Sequence, residues 1–166
     1  MEVIFGRTPA DYAGTVVCCE CASAVGQLFV AWTDFGLCAV AFADGADEMR
    51  ARLARRLPRA AFAQGDIGSF ENFGSLRLAP VGTDFQLEVW RALTRVPRGS
   101  VATYTQIAAA VGRPSALRAV GTAIGANPLA ILVPCHRIVP AQGGVGRYHW
   151  GSHRKLALLR AEGIDL

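Results

Sequence analysis

Thr103-Tyr104-Thr105-Gln106-Ile107-Ala108-Ala109-Ala110-Val111, then Gly112-Arg113-Pro114-Ser115, then Ala116-Leu117-Arg118-Ala119-Val120-Gly121-Thr122-Ala123-Ile124-Gly125-Ala126 run without a break. The first segment opens on Thr with Gln three residues later, a capping box, and stops at Gly112. The middle is turn chemistry. Ser115 is placed to cap the last segment, which reads as a helix from Ala116 to about Ala126. Two short helices joined by a tight turn are the helix-turn-helix pattern. That pattern makes the C-terminal half a helical unit that presents one helix.

The presented helix is unusual. Glycines at 121 and 125 weaken it, so a close approach to its backbone is expected, from another helix or from a nucleic-acid groove. Arg118 is the helix's only charge and favours the groove. Upstream, Thr83-Asp84-Phe85-Gln86 is a second capping box, with Phe85, Val89, Trp90 and Leu93 at helical spacing after it. Downstream, a last helix is predicted from Ser152 to Ala161 or Glu162 with Leu156 and Leu159 facing inward.

Between these helices lies Leu129-Ala130-Ile131-Leu132-Val133, followed by Pro134-Cys135-His136-Arg137-Ile138-Val139. A thiol attacks as thiolate, and a basic neighbour raises the thiolate fraction at neutral pH. Adjacent residues in an extended chain point to opposite sides, so Cys135 and His136 are not expected to touch, and proton transfer needs a bridging water or a sharp turn. Taken alone, the pair fits a buried structural thiol beside a surface imidazole.

The first half reads as sheet. Thr15-Val16-Val17-Cys18-Cys19 is β-prone, and segments 27–32 and 37–42 bracket a turn at Thr33-Asp34-Phe35-Gly36. A basic helix follows from Ala46 to Leu57, with Met49, Leu53 and Leu57 on one stripe. The stretch from Arg59 to Ser75 reads as loop with one short helix. The expected division is residues 1–80 and 81–166.

Charge and cysteine content bound the function. The net charge is +4, but ten Lys and Arg lie between residues 91 and 160, while Glu88 and Glu162 are the only acids from 87 to 162. Phosphate contact needs such a local imbalance, although Arg91, Arg95, Arg154 and Arg160 also fit a solvated face. No apolar run has membrane-spanning length, and Met1-Glu2-Val3-Ile4 does not begin a secretory leader, so a cytoplasmic protein is expected. Five cysteines fit reduced thiols. A metal site is not expected at Cys18, Cys19, Cys21 and Cys38, because no His lies nearby and adjacent strand residues diverge.

The series Gly121, Asn127-Pro128, Pro134-Cys135-His136-Arg137-Ile138-Val139 and Gly146-Arg147-Tyr148 resembles the O6-alkylguanine-DNA alkyltransferases, from about Thr83 to Gly163. The resemblance implies an α+β protein: a small antiparallel-sheet, RNase H-like N-terminal domain and a helical domain with a winged helix-turn-helix. It implies irreversible transfer of an alkyl group from O6 of guanine, and from O4 of thymine, in double-stranded DNA to Cys135. The protein is then a single-turnover enzyme, a monomer without cofactor, acting from the minor groove on a flipped base.

By the same resemblance Glu162 orients His136, which deprotonates Cys135 through water, and Tyr104 rotates the nucleotide and donates to guanine N3. Arg118 is the finger that fills the stack, on a helix whose Ser115, Ala116, Gly121 and Thr122 meet DNA together with Arg137. Asn127 is the hinge between that helix and an active-site strand. Val145, Tyr148, His149 and Trp150 wall the pocket, and the Cys135 and Ile138 carbonyls receive the guanine amino group. Phe5-Gly6-Arg7-Thr8-Pro9-Ala10-Asp11-Tyr12 looks like the tail of the DNA-binding segment that precedes this unit in adaptive-response proteins, and equally fits an ordinary extended N-terminus. Two other functions compete: a lesion-binding module without transfer, which lacks the reactive Cys, and a Cys-His hydrolase, which leaves the basic helix-turn-helix unexplained.

Overall fold

The computed structural model describes residues 3–68 and 76–166. It is α+β and divides into two compact units, residues 1–82 with 128–130, and residues 83–127 with 131–166. Among the described residues no helix is long and apolar enough to cross a membrane.

The first unit is a six-stranded sheet with one helix. Strands β2 (Thr15–Ser23), β3 (Gly26–Thr33) and β4 (Gly36–Phe42) form an antiparallel meander. Gly36 turns the second hairpin at φ +128°, where a β-carbon would collide with the Arg77 carbonyl oxygen. Three short strands join in parallel: β1 (Val3–Phe5), β5 (Ala61–Gln64) and β6 (Leu76–Leu78), in the order β1-β6-β4-β3-β2-β5. Helix α1 (Ala46–Arg56) buries Met49 and Leu53, with Leu57 buried just past its end.

Two sequence expectations change here. Residues 61–64 are an edge strand, not loop or helix, because they pair with β2 although all four side chains are exposed. The expected helix between 59 and 75 otherwise falls partly on residues 69–75, outside the described residues. The stretch from Phe5 to Tyr12 belongs to the fabric of this unit. Thr8 Oγ1 donates to the Ala79 carbonyl (2.6 Å), and the Tyr12 hydroxyl donates to Asp34 (2.5 Å). Cys18, Cys19, Cys21 and Cys38 are buried in this sheet as thiols.

The second unit is built on helices α2 (Asp84–Leu93), α3 (Tyr104–Ala110), α4 (Leu117–Gly125) and α5 (Ser152–Ala161). Both capping boxes form: Thr83 with Gln86 opens α2, and Thr103 with Gln106 opens α3. Gly112, at φ +68°, ends the α3 segment. Trp90, fully buried on α2, donates its indole N–H to the Ala123 carbonyl of α4 (2.8 Å), which locks the presented helix onto the core. Ser115 does not cap α4. The Ala116 amide donates to Arg113 O (2.9 Å), so the turn extends one residue and Ala116 becomes the N-cap, with no side-chain bond.

A two-residue parallel ladder positions the site. Strand β7 (Ala102–Thr103) pairs with β8 (Ile138–Val139), Ala102 opposite Ile138 and Thr103 opposite Val139. Tyr104 follows β7 directly, and the 3-10 turn Cys135–Arg137 directly precedes β8. The ladder therefore brings the start of α3 beside the thiol.

Candidate active site

The apolar run before Cys135 does not make the expected strand. Leu129 forms a single bridge with Val40, and the chain then turns through Ile131, a non-glycine residue at φ 70°. Asn127 closes this loop. Its buried amide donates one N–H to Val133 O (2.8 Å) and the other to Cys135 Sγ (3.1 Å), so it is a ligand of the sulfur as well as the end of the loop. Cys135 and His136 then lie in a 3-10 turn, held by Arg137 N to Pro134 O (3.0 Å).

His136 is 1% exposed and points its Nε2 at Glu162 Oε1, 3.0 Å away. Arg137 grips the same carboxylate with two bonds of 2.9 Å and donates to Val96 O (2.6 Å). Burial alone would raise the Glu162 pKa, but the hydrogen bonds and charges of Arg137 and His136 outweigh it and hold the carboxyl at about 2. An ionised carboxylate only accepts, so Nε2 carries the proton and Nδ1 keeps the lone pair. Nδ1 is buried, with no hydrogen-bond partner among the described residues. Burial also lowers the His136 pKa against the opposing pull of Glu162, leaving a neutral ring.

Cys135 lies at the wall of a cavity of about 400 Å³ between α4 and the loop 147–150. Tyr104, Gly121, Ile124, Gly125 and Asn127 line one side, and Arg147, Tyr148, His149 and Trp150 the other. Burial raises the Cys135 pKa, while the Asn127 hydrogen bond and the charge of Lys155 pull it down. Burial, reinforced by the charge of Cys135, raises the Tyr104 and Tyr148 pKa values, so both hydroxyls remain donors. The Tyr148 hydroxyl is buried with no partner among the described residues. Trp150 is 7% exposed, with its ring edge-on to His149 (centroids 4.5 Å apart).

The remaining expected residues divide. Ser115, Ala116, Arg118 and Thr122 line a neighbouring groove with Thr83, Phe85 and Gln86, and Arg118 is exposed. Arg137 is not on that surface; its guanidinium is occupied by Glu162 and Val96, which corrects its place among the DNA contacts. Ile138 and Val145 do not line the cavity. Ile138 is in the core, and its carbonyl already accepts from Lys155 Nζ (2.5 Å). On α5 the inward face is Lys155, Leu158 and Leu159, and Leu156 is only half-buried. Ile124, Arg147 and Lys155 are not named as site residues in the sequence reading, and Gly125 enters it only as a point of close approach. For Ile124 and Gly125 the signal was present, since they lie three and four residues beyond Gly121 on one helix face.

Neither helix glycine is demanded from inside. A β-carbon at Gly121 would lie 4.0 Å from Tyr104 Cδ1, an ordinary contact, and one at Gly125 would meet nothing within 4 Å. Both face the open cavity.

The Glu162 clamp predicts a pH signature. Its folded pKa lies below the ordinary 4.5, so its stabilisation is complete above that value and is lost as pH falls toward about 2. Thermal unfolding of the protein and of Glu162→Gln should differ by a constant margin at neutral pH, and the curves should converge between those limits. A margin that persists unchanged at the acid end contradicts the clamp.

Comparison with known proteins gives one answer. The family model described as 6-O-methylguanine DNA methyltransferase, DNA binding domain, matches residues 84–164. A methylated-DNA–protein-cysteine methyltransferase of Methanosarcina acetivorans is 40% identical over 152 residues, covering 85% of this chain and 94% of its own. The regulatory protein ada of Salmonella typhimurium is 38% identical over 150 residues, 82% of this chain; the chain spans 42% of that longer protein. Among solved structures, Mycobacterium tuberculosis OGT in complex with DNA matches with TM-score 0.69 and 33% identity, over 89% of this chain and 92% of that one.

Proposed function

Since the chain belongs to the methylated-DNA–protein-cysteine methyltransferase family, we propose that it repairs O6-alkylguanine in double-stranded DNA by moving the alkyl group irreversibly to Cys135. O4-alkylthymine offers the same alkyl–oxygen–ring arrangement and is a second substrate. The observation that carries this reading is the placement of Cys135 Sγ, hydrogen-bonded by Asn127, at the wall of a cavity bounded by α4. The groove with exposed Arg118 lies along the same helix.

The geometry supports a sequence of steps. Helix α4 lies in the minor groove, and its glycines let DNA approach where the protein itself requires no gap. Arg118 fills the stack left by the flipped nucleotide. His136 Nδ1 receives the Cys135 proton through a bridging water, and Glu162, held by Arg137, stabilises the imidazolium. The thiolate attacks the alkyl carbon in line: the S–C bond forms, the C–O6 bond breaks, and its electron pair stays on guanine. Tyr104, kept protonated by burial, donates to guanine N3 as that charge develops. The guanine anion takes up one proton and the thioether remains. Water does not cleave a thioether, so each molecule acts once, as a monomer and without a cofactor.

Incubation with duplex DNA carrying labelled O6-methylguanine tests the reading. Covalent label on the protein is the expected result. Binding without label would make it a lesion-binding module, and neither outcome would return the Cys-His hydrolase.

Trp150 makes the same pocket selective. Its buried indole beside His149 should obstruct a bulky O6 substituent while leaving methyl unhindered. Reaction with free O6-benzylguanine is therefore expected to be slow, and faster in Trp150→Gly. Rapid inactivation of the unaltered protein, with the Gly variant no faster, would show that the indole does not gate the pocket.

A further inference from the structure

Helix α4 presents opposite faces to two depressions. Arg118, Ala119 and Thr122 face the groove, while Gly121, Ile124 and Gly125 face the cavity that holds Cys135. The far wall of that cavity is the loop 147–150, and Arg147 is the one lining side chain that is always charged. Arg147 is exposed and Cys135 is buried, so the arginine marks the open side of the cavity and the thiol its closed side. The guanidinium has no hydrogen-bond or ion-pair partner among the described residues.

The backbone beneath this side chain is fixed. Gly146, at φ +70°, has no room for a β-carbon, which would lie 2.7 Å from Pro140 Cδ, and the Arg147 carbonyl accepts from buried Lys155 Nζ (3.3 Å). The loop therefore carries a free cation to the mouth of the cavity from a set base. A base turned out of a duplex does not enter such a cavity alone. Its sugar ties it to the strand, so a phosphate follows it to the open side. On that side α4 offers Gly121 and Gly125, which have no side chain to receive an anion, and its only charge, Arg118, faces the other depression. A guanidinium is the donor that fits phosphate oxygens best, with two parallel N–H bonds.

We propose that Arg147 binds the phosphate beside the flipped nucleotide, and so holds that nucleotide in the cavity from the wall opposite α4. The two arginines then divide the work. Arg118 supports the duplex at the place the base has left, and Arg147 supports the nucleotide at the place it has reached. Because the phosphate comes within reach only when the base is turned out, the contact favours the flipped state over the stacked one.

The inference rests on the repair reading, and its test keeps the two apart. Single-turnover methyl transfer below saturation is measured on three substrates: a duplex with O6-methylguanine, the same duplex with an uncharged methylphosphonate at the phosphate 5′ or 3′ to the lesion, and free O6-methylguanine. Arg147→Ala should slow repair of the ordinary duplex by about tenfold, and Arg147→Lys should restore most of the loss. On one of the two methylphosphonate duplexes the unaltered protein and Arg147→Ala should react at the same rate, because the contact is already gone. Arg118→Ala should still be slower there. The free base has no phosphate, so Arg147→Ala should match the unaltered protein on it, which also shows that the variant is folded. A tenfold loss that persists on both methylphosphonate duplexes would overturn the proposal, as would an unchanged rate on the ordinary duplex. An equal loss on the free base would overturn it too and place the charge on the departing guanine instead. If the unaltered protein transfers no methyl to any of the substrates, the repair reading falls and this inference with it. Normal transfer that ignores the phosphates overturns this inference alone.

Discussion

Cys135→Ser is expected to lose alkyl transfer to below detection while still binding duplex DNA. Serine keeps the shape of the turn and the Asn127 amide keeps an acceptor, since Asn127 donates to position 135 and to Val133 O alike. What disappears is the nucleophile: an alcohol is a far weaker acid and a far weaker nucleophile toward carbon than a thiol in the same place. Transfer assays with labelled O6-methylguanine duplex, alongside electrophoretic binding, separate the two properties. Residual transfer in this variant would place the acceptor elsewhere, and the four sheet cysteines, all buried in the first unit, would be the next sites to map.

Arg118→Ala carries the second large effect, and it should depend on the substrate. Arg118 is exposed on α4 beside the groove and away from the sulfur, so chemistry on a free base does not need it. In the proposed mechanism it replaces, on duplex DNA, the stacking lost when the nucleotide turns out. Removing it should cost a few kcal/mol at most, slowing duplex repair by up to roughly a hundredfold. Reaction with free O6-methylguanine should be unchanged. Equal losses on both substrates would mean that Arg118 acts in folding, a role its exposed position does not favour.

What was legible in the sequence was local. The capping boxes at Thr83 and Thr103 are closed by residues three positions away, so the starts of α2 and α3 could be read directly. The β3–β4 hairpin is equally local, closed at Gly36. Strands β1, β5 and β6 have three or four residues each and exist through pairing with distant segments, which no short pattern records. The α5 helix forms where the sequence puts it and buries Leu159 as expected, but Leu156 is only half-buried and Lys155 and Leu158 take the inward face. A hydrophobic pattern reads Lys as outward, and Lys155 faces inward because the Ile138 and Arg147 carbonyls accept from its ammonium.

The site divides in the same way. Cys135 and His136 announce themselves by type, whereas Glu162 has no local signal and reaches His136 across 26 positions. Arg137 was read from the basic run as a phosphate contact, yet an acid far along the chain turned it inward. The resemblance makes Asn127 a hinge, and only the three-dimensional loop shows its amide on the sulfur. Charge and residue type indicate what a side chain is able to do, and the partner that decides which use prevails lies far away in sequence.

The mass of the intact protein, taken before and after exposure to excess O6-methylguanine duplex DNA, tests the central claim most directly. A single increment of about 14 Da, one methyl in place of one proton, is expected on every molecule. Peptide mapping should place it on Cys135, with no further increase on longer incubation. An unchanged mass with demethylated DNA, more than one increment, or methyl mapped to Cys18, Cys19, Cys21 or Cys38 would contradict it.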